Sequence, residues 1–132
     1  MEVAVGFQIL ADLYGVDPDL IGRVDSLFPI VEDAVRVGKL TKISSDYYQF
    51  QPQGASGVVL LAESHLSFHT WPEHGLVTLD IYTCGDPRGA EIAFDYIVEQ
   101  LKPESMDCKR LRRGTSIVEE VRAVKPEHFL IQ

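Results

Sequence analysis

Between Val77 and Ile81 apolar and polar residues alternate, and the same period over Leu76 to Thr83 sets Val77, Leu79, Ile81 and Thr83 on one side of an extended chain. A period of two is that of a β-strand with one covered face. Directly afterwards the period changes. Beyond Asp86-Pro87, the residues Ala90, Ile92, Ala93, Tyr96, Ile97 and Leu101 recur at helical spacing until Pro103 stops the pattern. A half-covered strand followed at once by an amphipathic helix calls for a sheet with helices laid on it.

The rest of the chain reads in the same way. Residues 3 to 13 are largely apolar and run into Tyr14-Gly15 and Asp17-Pro18, a strand and its turn. Leu27, Ile30, Val31, Ala34, Val35 and Val37 approximate a second helical stripe, with Ser26 as its expected cap, Pro29 in its first turn and Gly38 at its end. Lys39 to Phe50 reads as a strand, Gly54-Ala55-Ser56-Gly57 as a flexible turn, Val58 to Ala62 as a strand and Met106 to Arg112 as another. Ile117 to Gln132 reads as an edge strand or a tail. No internal repeat or linker divides the 132 residues, so one domain is expected. The expected fold class is α+β: a two-layer sandwich, an antiparallel sheet with helices on one face. The other face would be covered by a second copy in a sheet-to-sheet homodimer.

Charge narrows the partners. Twelve basic against twenty acidic side chains leave a net charge of -8, which opposes binding to nucleic acid or to anionic lipid. The first fifteen residues lack a basic region and include Glu2 and Asp12, so they read as a strand rather than a signal peptide, and no stretch is long and apolar enough to span a bilayer. Cys84 and Cys108 are the only cysteines, too few for a disulfide framework, and a cytoplasmic setting is expected.

Chemistry concentrates between Gly54 and Gly85. His65, His69 and His74 lie within ten residues. On a strand His65 and His69 share a face, so a metal site, a plain surface or core pair, and general acid–base work all stand as readings, although no third ligand completes a metal spacing. Ser64 with His69 as base and Asp80 as orienter would suggest a serine hydrolase, but Ala62-Glu63-Ser64-His65-Leu66 is no G-x-S-x-G elbow. Taken alone, Cys84 reads as a buried strand-end thiol, and Phe50 and Trp71 read as core aromatics.

Together, Glu63-Ser64-His65-Leu66-Ser67-Phe68-His69-Thr70-Trp71-Pro72-Glu73 and Asp80-Ile81-Tyr82-Thr83-Cys84-Gly85 resemble the prokaryotic S-adenosylmethionine decarboxylases. The likeness extends to Ala11-Asp12-Leu13-Tyr14-Gly15 and to the helix from Ala90 to Pro103, about residues 5 to 112 in all. It implies a proenzyme that cuts itself between Glu63 and Ser64 into a β chain (1–63) and an α chain (64–132), Ser64 becoming a pyruvoyl cofactor in place of pyridoxal phosphate. By the same likeness His69 moves protons during processing with the Ser56 hydroxyl assisting, and Cys84 returns a proton to the substrate carbon. Phe50 and Trp71 would stack on adenine and Glu73 would bind ribose. The implied substrate is S-adenosylmethionine and the implied assembly a homodimer of processed αβ units, with no metal. Arginine or ornithine as substrate, or an uncut homologue without activity, are the alternatives. Ser64 and His69 are five residues apart, so a bend or bulge is expected to bring them together.

Overall fold

A computed structural model describes residues 5–115. The chain runs β1 (Gly6–Tyr14), α1 (Pro18–Ile21), α2 (Val24–Val37), β2 (Lys42–Gln49), β3 (Ala55–Leu61), β4 (Ser64–Trp71), a 3₁₀ turn (Pro72–His74), β5 (Leu76–Cys84), α3 (Arg88–Leu101) and β6 (Ser105–Arg113). The six strands form one antiparallel sheet in the order β2-β3-β4-β5-β1-β6. The expected tail from Ile117 to Gln132 lies outside the described residues.

One face of the sheet and the two long helices enclose the core. Ile9, Ala11 and Leu13 of β1, Val59 and Leu61 of β3, Leu66 and Phe68 of β4, and Val77, Leu79 and Ile81 of β5 are all buried there. Leu27, Val31, Ala34 and Val35 of α2 and Ala90, Ala93, Phe94, Ile97 and Leu101 of α3 meet them. The alternation from Leu76 to Thr83 thus becomes a buried and an open row, and the α+β two-layer class follows. Ile92 departs from the expected stripe: it is 49% exposed, and Phe94 takes its place in the core.

Helix α2 begins before its sequence signal. Its N-cap is Arg23, which makes no side-chain cap bond, because Gln49 at the end of β2 accepts from the Val24 N–H at 2.6 Å. A distant amide therefore satisfies an end donor that a local serine would otherwise take. Ser26 sits inside the first turn, and Pro29 falls in the second turn rather than the first. Gly38 does end the helix, but in right-handed conformation, and Lys39 takes the left-handed φ of 57°. The glycine serves close approach instead. A Cβ on Gly38 would lie 2.6 Å from the Gly89 carbonyl oxygen, and one on Gly89 would lie 2.7 Å from that of Gly38.

The Gly54-Ala55-Ser56-Gly57 segment is not the flexible turn its composition suggests. Ala55, Ser56 and Gly57 are the first residues of β3. A Cβ on Gly57 would fall 2.5 Å from the Phe68 ring and 2.7 Å from that of Tyr47, so the small residue admits two aromatic rings from the neighbouring strands.

Strand register sorts the second face. Tyr48, Ser56, Val58, Leu60, His65, Ser67, His69, Trp71, Thr78, Asp80, Leu10 and Leu111 alternate with core residues and face away from the helices. Tyr48, Val58, Leu60, Leu10 and Leu111 are all exposed. These apolar residues flank a polar centre made by His65, Ser67 and His69 of β4 and Thr78 and Asp80 of β5.

Candidate active site

Ser64 opens β4, and its neighbourhood is built by the ends of two strands. The Glu63 carbonyl oxygen accepts from the Cys84 backbone N–H at 3.0 Å, and Ser64 Oγ lies 3.8 Å from Cys84 Sγ. Cys84 thus meets the Glu63-Ser64 bond on both sides, its N–H on the Glu63 carbonyl and its thiol beside the Ser64 hydroxyl. The Glu63 side chain is tied down as well: Oε1 accepts from the Thr41 N–H and Oε2 from Thr41 Oγ1, both at 3.0 Å. The Thr41 N–H holds this carboxyl below the usual carboxylate range. Cys84 stands at the strand end as expected, but it is exposed rather than buried.

Farther along β4, His69 pairs across the sheet with Ser56, whose Oγ is 2.6 Å from His69 Nδ1. Both line a cleft of about 310 Å³ with Phe50, Gln53, Gly54, Thr70, Trp71 and Glu73. Phe50 and Trp71 are 46% and 38% exposed, so neither is a core aromatic. The loop that carries Phe50 is pinned from behind: Gln49 Nε2 donates to the carbonyls of Gly22, Phe50 and Gly54 at 2.9–3.0 Å. Buried Thr70 donates to the Ile21 carbonyl at 2.8 Å and accepts from the Ala55 N–H at 2.9 Å, which fixes the cleft floor. Two aromatic faces, a carboxylate and a histidine–serine pair suit a planar, polar-edged ligand.

The two groups stay apart. β4 pairs with β5 residue for residue from Ser64 to Trp71, so the expected bend or bulge is absent. At the strand rise of ~3.3 Å per residue, Ser64 and His69 are about 16 Å apart. Within one chain, Ser64 keeps Cys84 and Glu63, and His69 keeps Ser56, Phe50, Trp71 and Glu73.

Asp80 does not orient His69. It accepts from Gln8 Nε2 at 2.8 Å and lies 3.5 Å from His65 Nε2, so no serine–histidine–aspartate relay forms. His65 and His69 do share the open face, and among the described residues no group of three or more His, Cys, Asp or Glu side chains gathers as a metal site. Sequence reasoning passed over Thr41, Gln53, Thr70 and the Cys84 N–H. Nothing local marks them, because their partners are distant in sequence: Thr41 meets Glu63, Thr70 meets Ile21 and Ala55, and the Cys84 N–H meets Glu63.

Against known proteins, the model of the S-adenosylmethionine decarboxylase family matches residues 7–114. The S-adenosylmethionine decarboxylase proenzyme of Picrophilus torridus is 62% identical over 130 residues, 98% of this chain and all of the relative. That of Thermoplasma volcanium is 64% identical over 120 residues, 91% of this chain and 92% of the relative. The crystal structure of adenosylmethionine decarboxylase from Aquifex aeolicus superposes with a TM-score of 0.83 at 57% identity, over 91% of this chain and 98% of that one. This chain belongs to the S-adenosylmethionine decarboxylase family.

Proposed function

We propose that the chain cuts itself at Glu63-Ser64 and then decarboxylates S-adenosylmethionine with the pyruvoyl group left on residue 64. Family membership supports the activity. The observation that carries it is that the Cys84 N–H donates to the Glu63 carbonyl while Cys84 Sγ lies 3.8 Å from Ser64 Oγ, so one residue meets both sides of the Glu63-Ser64 bond. Ser64 Oγ attacks the Glu63 carbonyl carbon, the Cys84 N–H receives the developing oxyanion, and the C–N bond breaks as the Ser64 nitrogen gains a proton. The chain is then joined through an ester. Removal of the Ser64 Cα proton expels the Glu63 α-carboxylate and leaves dehydroalanine, which water converts to pyruvoyl with loss of ammonia.

The pyruvoyl group, once formed, supplies the electron sink for loss of the substrate carboxylate. Cys84, whose Sγ lies 3.8 Å from Ser64 Oγ, returns a proton to the substrate carbon on this reading. The cleft around His69 suits the substrate's nucleoside: Phe50 and Trp71 offer ring faces to adenine and Glu73 offers acceptors to the ribose hydroxyls.

Both halves of this chemistry meet only if two copies pair. The open sheet face carries exposed Leu10, Val58 and Leu60 together with His69 and Ser56, while Ser64 and Cys84 stand at the strand ends; pairing of two copies through this face is the arrangement in which His69 and Ser56 of one protomer serve Ser64 and Cys84 of the other. The active form is therefore a homodimer of processed chains in the cytoplasm, acting on a small molecule and not on nucleic acid or membrane. Among the described residues no helix is long and apolar enough to cross a membrane. The test is release of labelled carbon dioxide from carboxyl-labelled S-adenosylmethionine by purified protein, with arginine and ornithine alongside. Release from the nucleoside substrate alone is expected. Release only from an amino acid would overturn the choice of substrate, and none at all would overturn the activity.

A further inference from the structure

We propose that Thr41 is a positioning residue for self-cleavage, holding the residue before the cut so that its carbonyl faces Ser64. The inference rests on the self-cleavage reading. Thr41 spends all of its hydrogen-bonding groups on Ala62 and Glu63: its N–H and Oγ1 donate to the two Glu63 carboxylate oxygens at 3.0 Å, and its carbonyl accepts from the Ala62 N–H at 2.8 Å. With the Cys84 N–H on the Glu63 carbonyl at 3.0 Å, every oxygen of Glu63 has a fixed partner.

Stability gives little reason for such a clamp. The two bonds are exposed: Thr41 lies exposed just before β2, and half-buried Glu63 sits in the turn between β3 and β4. Hydrogen bonds between exposed groups add little to folding, since water competes for the same partners. Geometry is another matter. The acyl shift requires Ser64 Oγ to approach the Glu63 carbonyl carbon from one direction, and a turn free to rotate about Glu63 would leave that alignment seldom populated. The clamp also keeps a carboxylate away from a carbonyl on which negative charge develops, where a loose Glu63 side chain would oppose the reaction. Thr41 lies upstream of β2 and far from Ser64 in sequence, so it acts as an external jaw and not as part of the reacting set.

The reading places Thr41 on the first step, the nitrogen-to-oxygen acyl shift. Wild type, Thr41→Val and Thr41→Ser would be made by cell-free translation and followed by denaturing mass spectrometry, with thermal midpoints measured on uncut Ser64→Ala versions of each. Valine keeps the branched shape and removes only the hydroxyl. Thr41→Val is expected to cut about tenfold more slowly or worse with a nearly unchanged midpoint, while Thr41→Ser cuts at close to the wild-type rate. Hydroxylamine, which cleaves esters and spares amides, should not split the uncut Thr41→Val chain. Equal rates for wild type and Thr41→Val would overturn the proposal, and so would a hydroxylamine-sensitive ester accumulating in the variant, since that places the block at the elimination. A midpoint that falls in step with the rate would reduce Thr41 to a structural residue. Wild type that never cuts would overturn the self-cleavage reading itself and this one with it.

Discussion

Two inactive variants should repair one another. On the proposed mechanism Ser64→Ala removes the group to be converted, and His69→Ala removes the ring assigned to proton transfer, about 16 Å away along the same unbroken strand. General-base work needs the ring within about 3 Å of its proton or one water beyond it, so His69 cannot serve the Ser64 of its own chain. If the partner's His69 serves instead, a mixed dimer of the two variants holds one complete site, made of Ser64 from the His69→Ala chain and His69 from the Ser64→Ala chain. The second site lacks both.

Random pairing of equal amounts puts about half of the His69→Ala chains into mixed dimers, so about half should be cut. The assay is co-translation of the two variants, one carrying a mass-distinguishable tag, with the fraction of each chain cut read by denaturing mass spectrometry. Each variant alone should stay whole or cut only slowly, and the Ser64→Ala chain should never cut in the mixture. No cutting beyond that of His69→Ala alone would refute the reasoning, because it would mean that the site closes within one protomer.

Cys84→Ser keeps the backbone N–H on the Glu63 carbonyl, so self-cleavage should continue, while carbon dioxide release falls by about a hundredfold with loss of the proton donor; this is checked by running both assays on one preparation. Burial raises the Glu32 pKa, but hydrogen bonds from Tyr47, Lys42 and Ser45 outweigh it and bring the carboxyl below its ordinary range. A depressed folded pKa stabilises above the unfolded value and loses its effect as pH falls through the folded one. Urea midpoints should therefore show Glu32→Gln less stable than wild type by about 1–2 kcal/mol at pH 7, with the gap closing below roughly pH 4. Gly89→Ala places a methyl 2.7 Å from the Gly38 carbonyl and 3.0 Å from Leu40, which should cost about 1–3 kcal/mol in a urea titration.

The architecture was legible because period and punctuation agree over long segments. The Leu76–Thr83 alternation and the stripe ending at Pro103 became β5 and α3 with boundaries moved by a residue or two. Misreadings arose where a distant group supplied what local chemistry is assumed to supply. Ser26 lost the helix cap to Gln49, and Gly57 read as a turn because its aromatic neighbours come from other strands. The site divides in the same way. The motif from Glu63 to Glu73 named the residues, but a one-dimensional motif treats them as one cluster. Register separates them into two groups, one at the strand ends beside Ser64 and one on the open face beside His69, and spacing alone does not say whether the gap closes by a bulge or by a second chain.

The position of the cut makes one more outcome predictable. Cleavage after Glu63 would leave β1, α1, α2, β2 and β3 on one piece and β4, β5, α3 and β6 on the other. In the sheet these do not fall into two halves. β3 pairs with β4 across the break, and β1 of the first piece lies between β5 and β6 of the second. Three strand interfaces and the packing of α2 on α3 therefore join the pieces, and neither can leave without exposing the core face of the sheet. Only the peptide bond at the hairpin tip is lost, where Ala62 is exposed and Glu63 and Ser64 are half-buried. The cut protein should elute undivided from gel filtration in native buffer and resolve into two fragments only in denaturant, with a midpoint that rises with protein concentration because unfolding has become dissociation. Separation of the fragments under native conditions would mean that the turn between Leu61 and Ser64, and not the interleaved strands, holds the two pieces together.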